Sequence, residues 1–203
     1  MSVNPRAILE AIIPHPSGEV VALYDVSHLL PTKKGRPQPA RPVGAKIKRL
    51  YVHKSGGEGG PGLPGILAMV RYVVGKRMFP GAPYTFWAAT APERDAEGRL
   101  VLYRLVADDR RTWHTGGVCN DHGIALALQG NLSRRDLTPL QRIVAEACLT
   151  HVTTGTRYPD LDDVAPVSTH SRARAFGAKK SKSICPGEYA ERWLAGLLAS
   201  RAA

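Results

Sequence analysis

His170-Ser-Arg-Ala-Arg-Ala-Phe-Gly-Ala-Lys-Lys-Ser-Lys-Ser-Ile-Cys185-Pro-Gly187 is the stretch from which the fold can be read. It sets a histidine and a cysteine at the two ends of a basic loop and runs the cysteine into a Pro-Gly step that opens a last amphipathic segment. Imidazole and thiolate are both ligands that zinc accepts, and a catalytic zinc keeps three protein ligands with the fourth position open. A third residue of that kind, His53, ends the strand-like run Ile47 to His53, so His53, His170 and Cys185 form a candidate three-ligand set. The same residues admit a second chemistry, in which Cys185 ahead of a helix N-terminus is a nucleophile and His53 or His170 its base. Spacing alone does not choose between them, because the three residues lie far apart in the chain.

Alternation in Ile47 to His53 places Ile47, Tyr51 and His53 on one face of a strand and Leu50 and Val52 on the other. The following Lys54-Ser-Gly-Gly-Glu-Gly-Gly-Pro-Gly62 is glycine-rich enough to border a cleft. Ile66, Met69, Val70 and Val73 have helical spacing and predict a core-facing helix over 64–77. Tyr84-Thr-Phe-Trp-Ala-Ala89 and Arg99 to Val106, separated by a turn at Asp95 to Gly98, predict strands of an antiparallel meander. Trp113 to Asn120 reads as a loop, and Gly123 to Gln129 as the strand after it.

Thr138-Pro139-Leu140-Gln141 has the form of a helix start, with an N-cap, Pro at the first position and Gln at the third. Leu140, Ile143, Val144, Ala147 and Cys148 then mark that helix's buried side. A last helix from about Pro186 buries Ala190, Trp193, Leu194, Leu197 and Leu198. At the other end of the chain, Pro5 to Ile13 predicts a short helix, Glu19 to Tyr24 a strand, and 31–44 an extended basic loop. The division this suggests is an N-terminal extension over 1–45, packed on or leading into a domain over 46–203.

Length and composition bound the function. The 203 residues suit one domain, and 43% hydrophobic with 22% charged residues excludes a mainly disordered chain. No apolar run approaches the ~20 residues that span a bilayer. Met1 to Ala7 lacks the basic and apolar regions of a secretory signal, so synthesis and folding in a cytoplasm are expected. Cys119, Cys148 and Cys185 form no C-x-x-C pair and suit reduced thiols. The 28 Lys and Arg against 17 Asp and Glu, a net charge of +11, predict an anionic partner such as a cell-envelope polymer. Nothing resembles a helix-turn-helix or an aromatic RNA-binding run, so a nucleic-acid-binding reading has charge as its only support.

Three motifs in order carry a resemblance. Leu50-Tyr-Val-His53 with Lys-Ser-Gly, then Trp113-His-Thr-Gly-Gly117 with Asn120 and Gly123-Ile-Ala-Leu-Ala-Leu-Gln-Gly-Asn131, then His170 with Lys182-Ser-Ile-Cys185-Pro-Gly, together resemble the type 2 N-acetylmuramoyl-L-alanine amidases. That family shares its fold with phage amidase endolysins and peptidoglycan recognition proteins, and the resemblance covers roughly residues 47–198. It implies a single α/β domain with a central mixed sheet flanked by helices. It also implies a zinc cofactor on His53, His170 and Cys185, and peptidoglycan as the partner of a monomer that acts at the wall after release from the cell.

By the same resemblance Tyr84 and Lys182 take catalytic roles, and His114, Thr115 and Asn120 flank the substrate groove. The gap from His170 to Cys185 is longer than the family's, which leaves Lys180 as an alternative to Lys182. No H-E-x-x-H glutamate is present as a dedicated base. A cysteine peptidase using Cys185 and a non-catalytic peptidoglycan-binding protein are the competing readings.

Overall fold

A computed structural model of the chain describes residues 3–57, 60, 62–178 and 184–202. Among these residues seven strands form one mixed sheet: β1 (Ile8–Pro14), β2 (Val20–Asp25), β3 (Arg49–Lys54), β4 (Phe86–Ala88), β5 (Leu100–Arg104), β6 (Gly123–Leu128) and β7 (Val167–Thr169). Their spatial order is β1-β2-β5-β4-β6-β3-β7. Four α-helices accompany them among the described residues: α1 (Gly62–Gly75), the short α2 (Cys119–His122), α3 (Pro139–Thr154) and α4 (Glu188–Ala202). Among the described residues no helix is long and apolar enough to cross a membrane.

The antiparallel meander expected of the middle of the chain holds only for β4 with β5, where Phe86 faces Arg104 and Trp87 faces Tyr103. The other pairings there join segments distant in sequence. β4 pairs parallel with β6, β6 parallel with β3, and β3 parallel with β7, while β5 turns to β2, also in parallel. Strands of this kind are covered on both faces, and β6, Gly123-Ile-Ala-Leu-Ala-Leu128, is buried along its whole length.

One face of the sheet carries Leu50, Val52, Ile124, Leu126 and Leu128 against Val144, Ala147, Cys148 and Val152 of α3 and Ala190 and Leu194 of α4. The other carries Trp87, Val101, Tyr103 and Ala127 against Leu63, Ile66 and Val70 of α1. Cys148 is thus a small core hydrophobe, as its place on α3 predicts.

The helix expected over Pro5 to Ile13 is instead the edge strand β1, antiparallel to β2 with Ile8 opposite Asp25 and Pro14 opposite Val20. Ala, Leu and Glu in Ala-Ile-Leu-Glu-Ala favour a helix weakly, and pairing with β2 overrides that preference. Both strands of segment 1–45 therefore belong to the common sheet.

At the start of α3 the Thr138 hydroxyl accepts from the Gln141 backbone N–H at 3.2 Å. The Gln141 side chain does not reach back to close a capping box. It donates to the carbonyls of Ala88 (3.1 Å) and Gln129 (3.0 Å), and so ties the helix to the C-terminal ends of β4 and β6.

At the end of β5, Arg104 is 1% exposed. Its guanidinium donates to both carboxylate oxygens of Glu10 at 3.1 Å and pairs with Asp108, which also receives Arg157 at 2.7 Å and the Tyr158 hydroxyl at 2.9 Å. Burial alone would raise the Asp108 carboxyl, but Arg104 and Arg157 outweigh it and hold Asp108 below the usual carboxylate range. A depressed folded pKa contributes stability that is fully present above the unfolded value of about 4 and is lost as pH falls through the folded value. Urea midpoints of the wild type should therefore decline below about pH 4, and Asp108→Asn should be less stable at neutral pH yet decline less on acidification. Parallel curves for the two proteins would refute this role.

Candidate metal centre

His53 is the fifth residue of β3 and lies on the α1 side of the sheet. Its neighbour in register on β6 is Ala127, and the small side chain leaves room for an imidazole that is 1% exposed. His170 follows β7 directly, its backbone N–H donating to the Val52 carbonyl at 3.3 Å, so the β3–β7 pairing delivers the second histidine beside the first. The two imidazole centroids are 4.8 Å apart.

Cys185 is anchored next to them by two backbone bonds: the Ser171 N–H to the Cys185 carbonyl at 2.9 Å, and the Lys54 N–H to the Cys185 sulfur at 3.3 Å. Two residues on, Gly187 adopts φ +101°, and a Cβ there would meet the Leu132 carbonyl at 2.6 Å. Only glycine allows this close crossing over the loop after β6, which fixes where the cysteine arrives.

One ligand atom from each of His53, His170 and Cys185 lies within 4.8 Å of the others, and Cys185 Sγ is 3.6 Å from His53 Nδ1. Tetrahedral zinc, with Zn–S of about 2.3 Å and Zn–N of about 2.0–2.1 Å, sets sulfur and nitrogen roughly 3.5 Å apart, so the Cys185–His53 pair has the spacing the ion takes and the three donors are of the chemical type it accepts. Protonation states agree. Burial, then His114 and His170, push the His53 imidazole well below its ordinary value, and burial lowers His170, so both nitrogens are available as lone pairs at neutral pH. Burial raises the Cys185 thiol to about 11, with the Lys54 N–H opposing it, so a cation would be what displaces its proton.

Tyr84 leads into β4 and stacks at a tilt on His53, with centroids 5.3 Å apart. Burial, and then the Cys185 sulfur, raise its phenol, which keeps its proton at neutral pH. Lys182, and its alternative Lys180, lie outside the described residues.

The loop residues expected along the groove are all buried. Asn120 Oδ1 accepts the backbone N–H groups of His114 (3.2 Å), Thr115 (3.0 Å) and Gly116 (3.0 Å), so this side chain shapes the loop from within. Thr115 Oγ1 lies 3.4 Å from the same oxygen. His114 turns inward between Tyr51, at 5.4 Å between ring centroids, and His53, at 5.2 Å with the rings perpendicular. Its Nδ1 lies 3.2 Å from His53 Nε2. Burial lowers its imidazole to about 3, with Arg41 and His170 adding to the effect and the Gly123 carbonyl opposing it.

The contact between His114 and His53 was not readable from the chain. The two residues are 61 positions apart, and no periodicity says which way a loop histidine points. The strand β7, which presents His170, was missed because Val-Ser-Thr is too short to show a period.

Comparison with known proteins gives no match to any protein-family model and none among curated proteins. Solved structures do match. The human recognition protein PGRP-IBETAC, in complex with glycosamyl muramyl pentapeptide, superposes with a TM-score of 0.58 at 12% identity, over 82% of this chain and 90% of that one. The peptidoglycan recognition proteins LCa and LCx, solved as an ectodomain complex bound to tracheal cytotoxin, give 0.57 at 20% identity, over 78% and 84%. The N-acetylmuramoyl-L-alanine amidase endolysin LysCS of Clostridium intestinale gives 0.53 at 18%, over 76% and 86%. This chain has the fold that those amidases and recognition proteins share, a single domain built on a mixed sheet with helices.

Proposed function

We propose that this protein is a zinc-dependent N-acetylmuramoyl-L-alanine amidase of phage-endolysin type, hydrolysing the amide between N-acetylmuramic acid and the L-alanine of the stem peptide at the cell wall. The observation that carries the reading is the convergence of His53, His170 and Cys185, with the Tyr84 ring against His53, inside the fold of amidases and recognition proteins. Recognition without catalysis remains compatible with that fold alone, and the intact donor set is what favours an enzyme.

Zinc on these three residues would supply Lewis acidity and a water of lowered pKa. The chain's own residues supply the rest. His53, His170 and Cys185 bring their donor atoms within 4.8 Å of one another. The Tyr84 hydroxyl, protonated and partly buried, would donate a hydrogen bond to charge developing on the scissile carbonyl oxygen. Lys182 would share that work or return a proton to the leaving amine. The excess of basic charge favours retention on anionic envelope polymers, with affinity falling as salt rises.

The test is turnover of purified peptidoglycan, followed by turbidity and by the appearance of stem peptides with free L-alanine amino groups. Binding without product would leave a recognition module. Tyr84→Phe should keep its zinc and lose about 10²- to 10³-fold in kcat, the effect of removing one preorganised donor. Full activity in that variant would take Tyr84 out of the chemistry.

A further inference from the structure

We infer that His114 is the positioning residue of the metal centre, fixing His53 in the tautomer and orientation that offer Nδ1 to the ion. This deepens the zinc reading of His53, His170 and Cys185 and rests on it. It also gives His114 a task other than contact with substrate.

His53 Nδ1 faces the Cys185 sulfur at 3.6 Å, so Nδ1 is the nitrogen on the ligand side. Its Nε2 points the other way, to His114 Nδ1 at 3.2 Å. A neutral imidazole that gives one lone pair to a metal carries its proton on the other nitrogen. The Nε2–H of His53 then needs a buried acceptor, and the bare Nδ1 of His114 is in place. The reverse polarity, with His114 donating, would move the His53 proton to Nδ1 and block the metal.

The acceptor is held in place as well. Three backbone N–H groups of the loop 114–116 converge on Asn120 Oδ1, and the His114 ring rests on Tyr51, whose hydroxyl donates to Cys119 Sγ at 3.3 Å. His114 Nε2 is buried, with no hydrogen-bond partner of normal geometry among the described residues, which leaves the Nδ1 contact as the ring's well-formed polar interaction. Groups that orient a metal-binding histidine in this way set metal affinity by 10- to 100-fold.

Zinc affinity, measured by competition with a chromogenic chelator, separates this role from simple space filling. His114→Leu should bind zinc about 10- to 100-fold more weakly than wild type. His114→Asn, whose Oδ1 can take the place of Nδ1, should recover most of that loss. His114→Leu that binds as tightly as wild type would overturn the inference, as would His114→Asn as weak as His114→Leu when the two share one urea midpoint. A measurement free of substitutions is nitrogen-15 NMR of the zinc-loaded wild type, which should place a slowly exchanging proton on His53 Nε2; a proton on Nδ1 would overturn the assignment. Wild type that binds no zinc fails at the earlier step and removes the zinc reading together with this one, whereas failure of the inference alone leaves wild-type zinc binding intact.

Discussion

Zinc binding and wall hydrolysis should fall together when Cys185 is replaced by Ser, the rate by roughly 10³-fold or more, since the Lewis acid contributes several kcal/mol and each ~1.4 kcal/mol is a factor of ten. Serine keeps nearly the volume of cysteine and can still accept from the Lys54 N–H, so the fold should survive and the loss can be assigned to the ligand. His170→Ala should do the same from the other side of the site. Stripping the wild type with a chelator and restoring zinc should abolish activity and bring it back. The outcome that would sink the reading is specific: metal-free protein that still cleaves, with activity lost only in Cys185→Ser, makes the sulfur a nucleophile and the protein a cysteine peptidase.

The largest loss of stability is expected far from the site. Arg104→Met should destabilise the domain by about 3 kcal/mol, toward the lower end of the range for breaking a buried pair, because Glu10 and Asp108 keep some solvent. Arg104 is the donor that joins β5 to Glu10 of β1 and to the Asp108–Tyr158 pair beyond. Removing it leaves Glu10 and Asp108 to share Arg157, which lies 3.5 Å from the first and 2.7 Å from the second and is itself partly exposed. Arg104→Lys should recover only part of the loss, since one ammonium cannot reproduce the forked donors. Chemical denaturation at neutral pH measures both, and a change below about 1 kcal/mol for Arg104→Met would mean that the cluster is a solvated network after all.

The parts of this molecule that could be read from the chain are those where local chemistry is decisive. β3, β6 and α3 announce themselves, the strands through apolar alternation in Leu50-Tyr-Val-His53 and Ile124-Ala-Leu-Ala-Leu128, the helix through the Thr138-Pro139 cap. The three candidate metal ligands were nameable because imidazole and thiol are few in the chain and fall in the order of a known pattern. Partnership was harder. Nothing in Arg99 to Val106 says that Arg104 is the arginine to be buried, because Glu10 arrives from a strand 94 positions away and Asp108, four residues on, lies past the end of the run. The pairing of β2 with β5 in parallel, in place of a plain meander, is likewise a choice among distant segments. β1 was misread because its helix-forming residues are few and the strand beside it is what decides.

Strand β7 has only three residues in register with β3 and stands at the rim of the sheet, yet His170 hangs from its end and Cys185 is bonded to the residue after it. Two of the three donors thus depend on the least-paired strand of the fold. Ion occupancy and rim closure become one linked equilibrium: an ion held there would latch the border strand and α4 to the centre of the sheet, and any fraying of that border would dissolve the coordination sphere before the core opened.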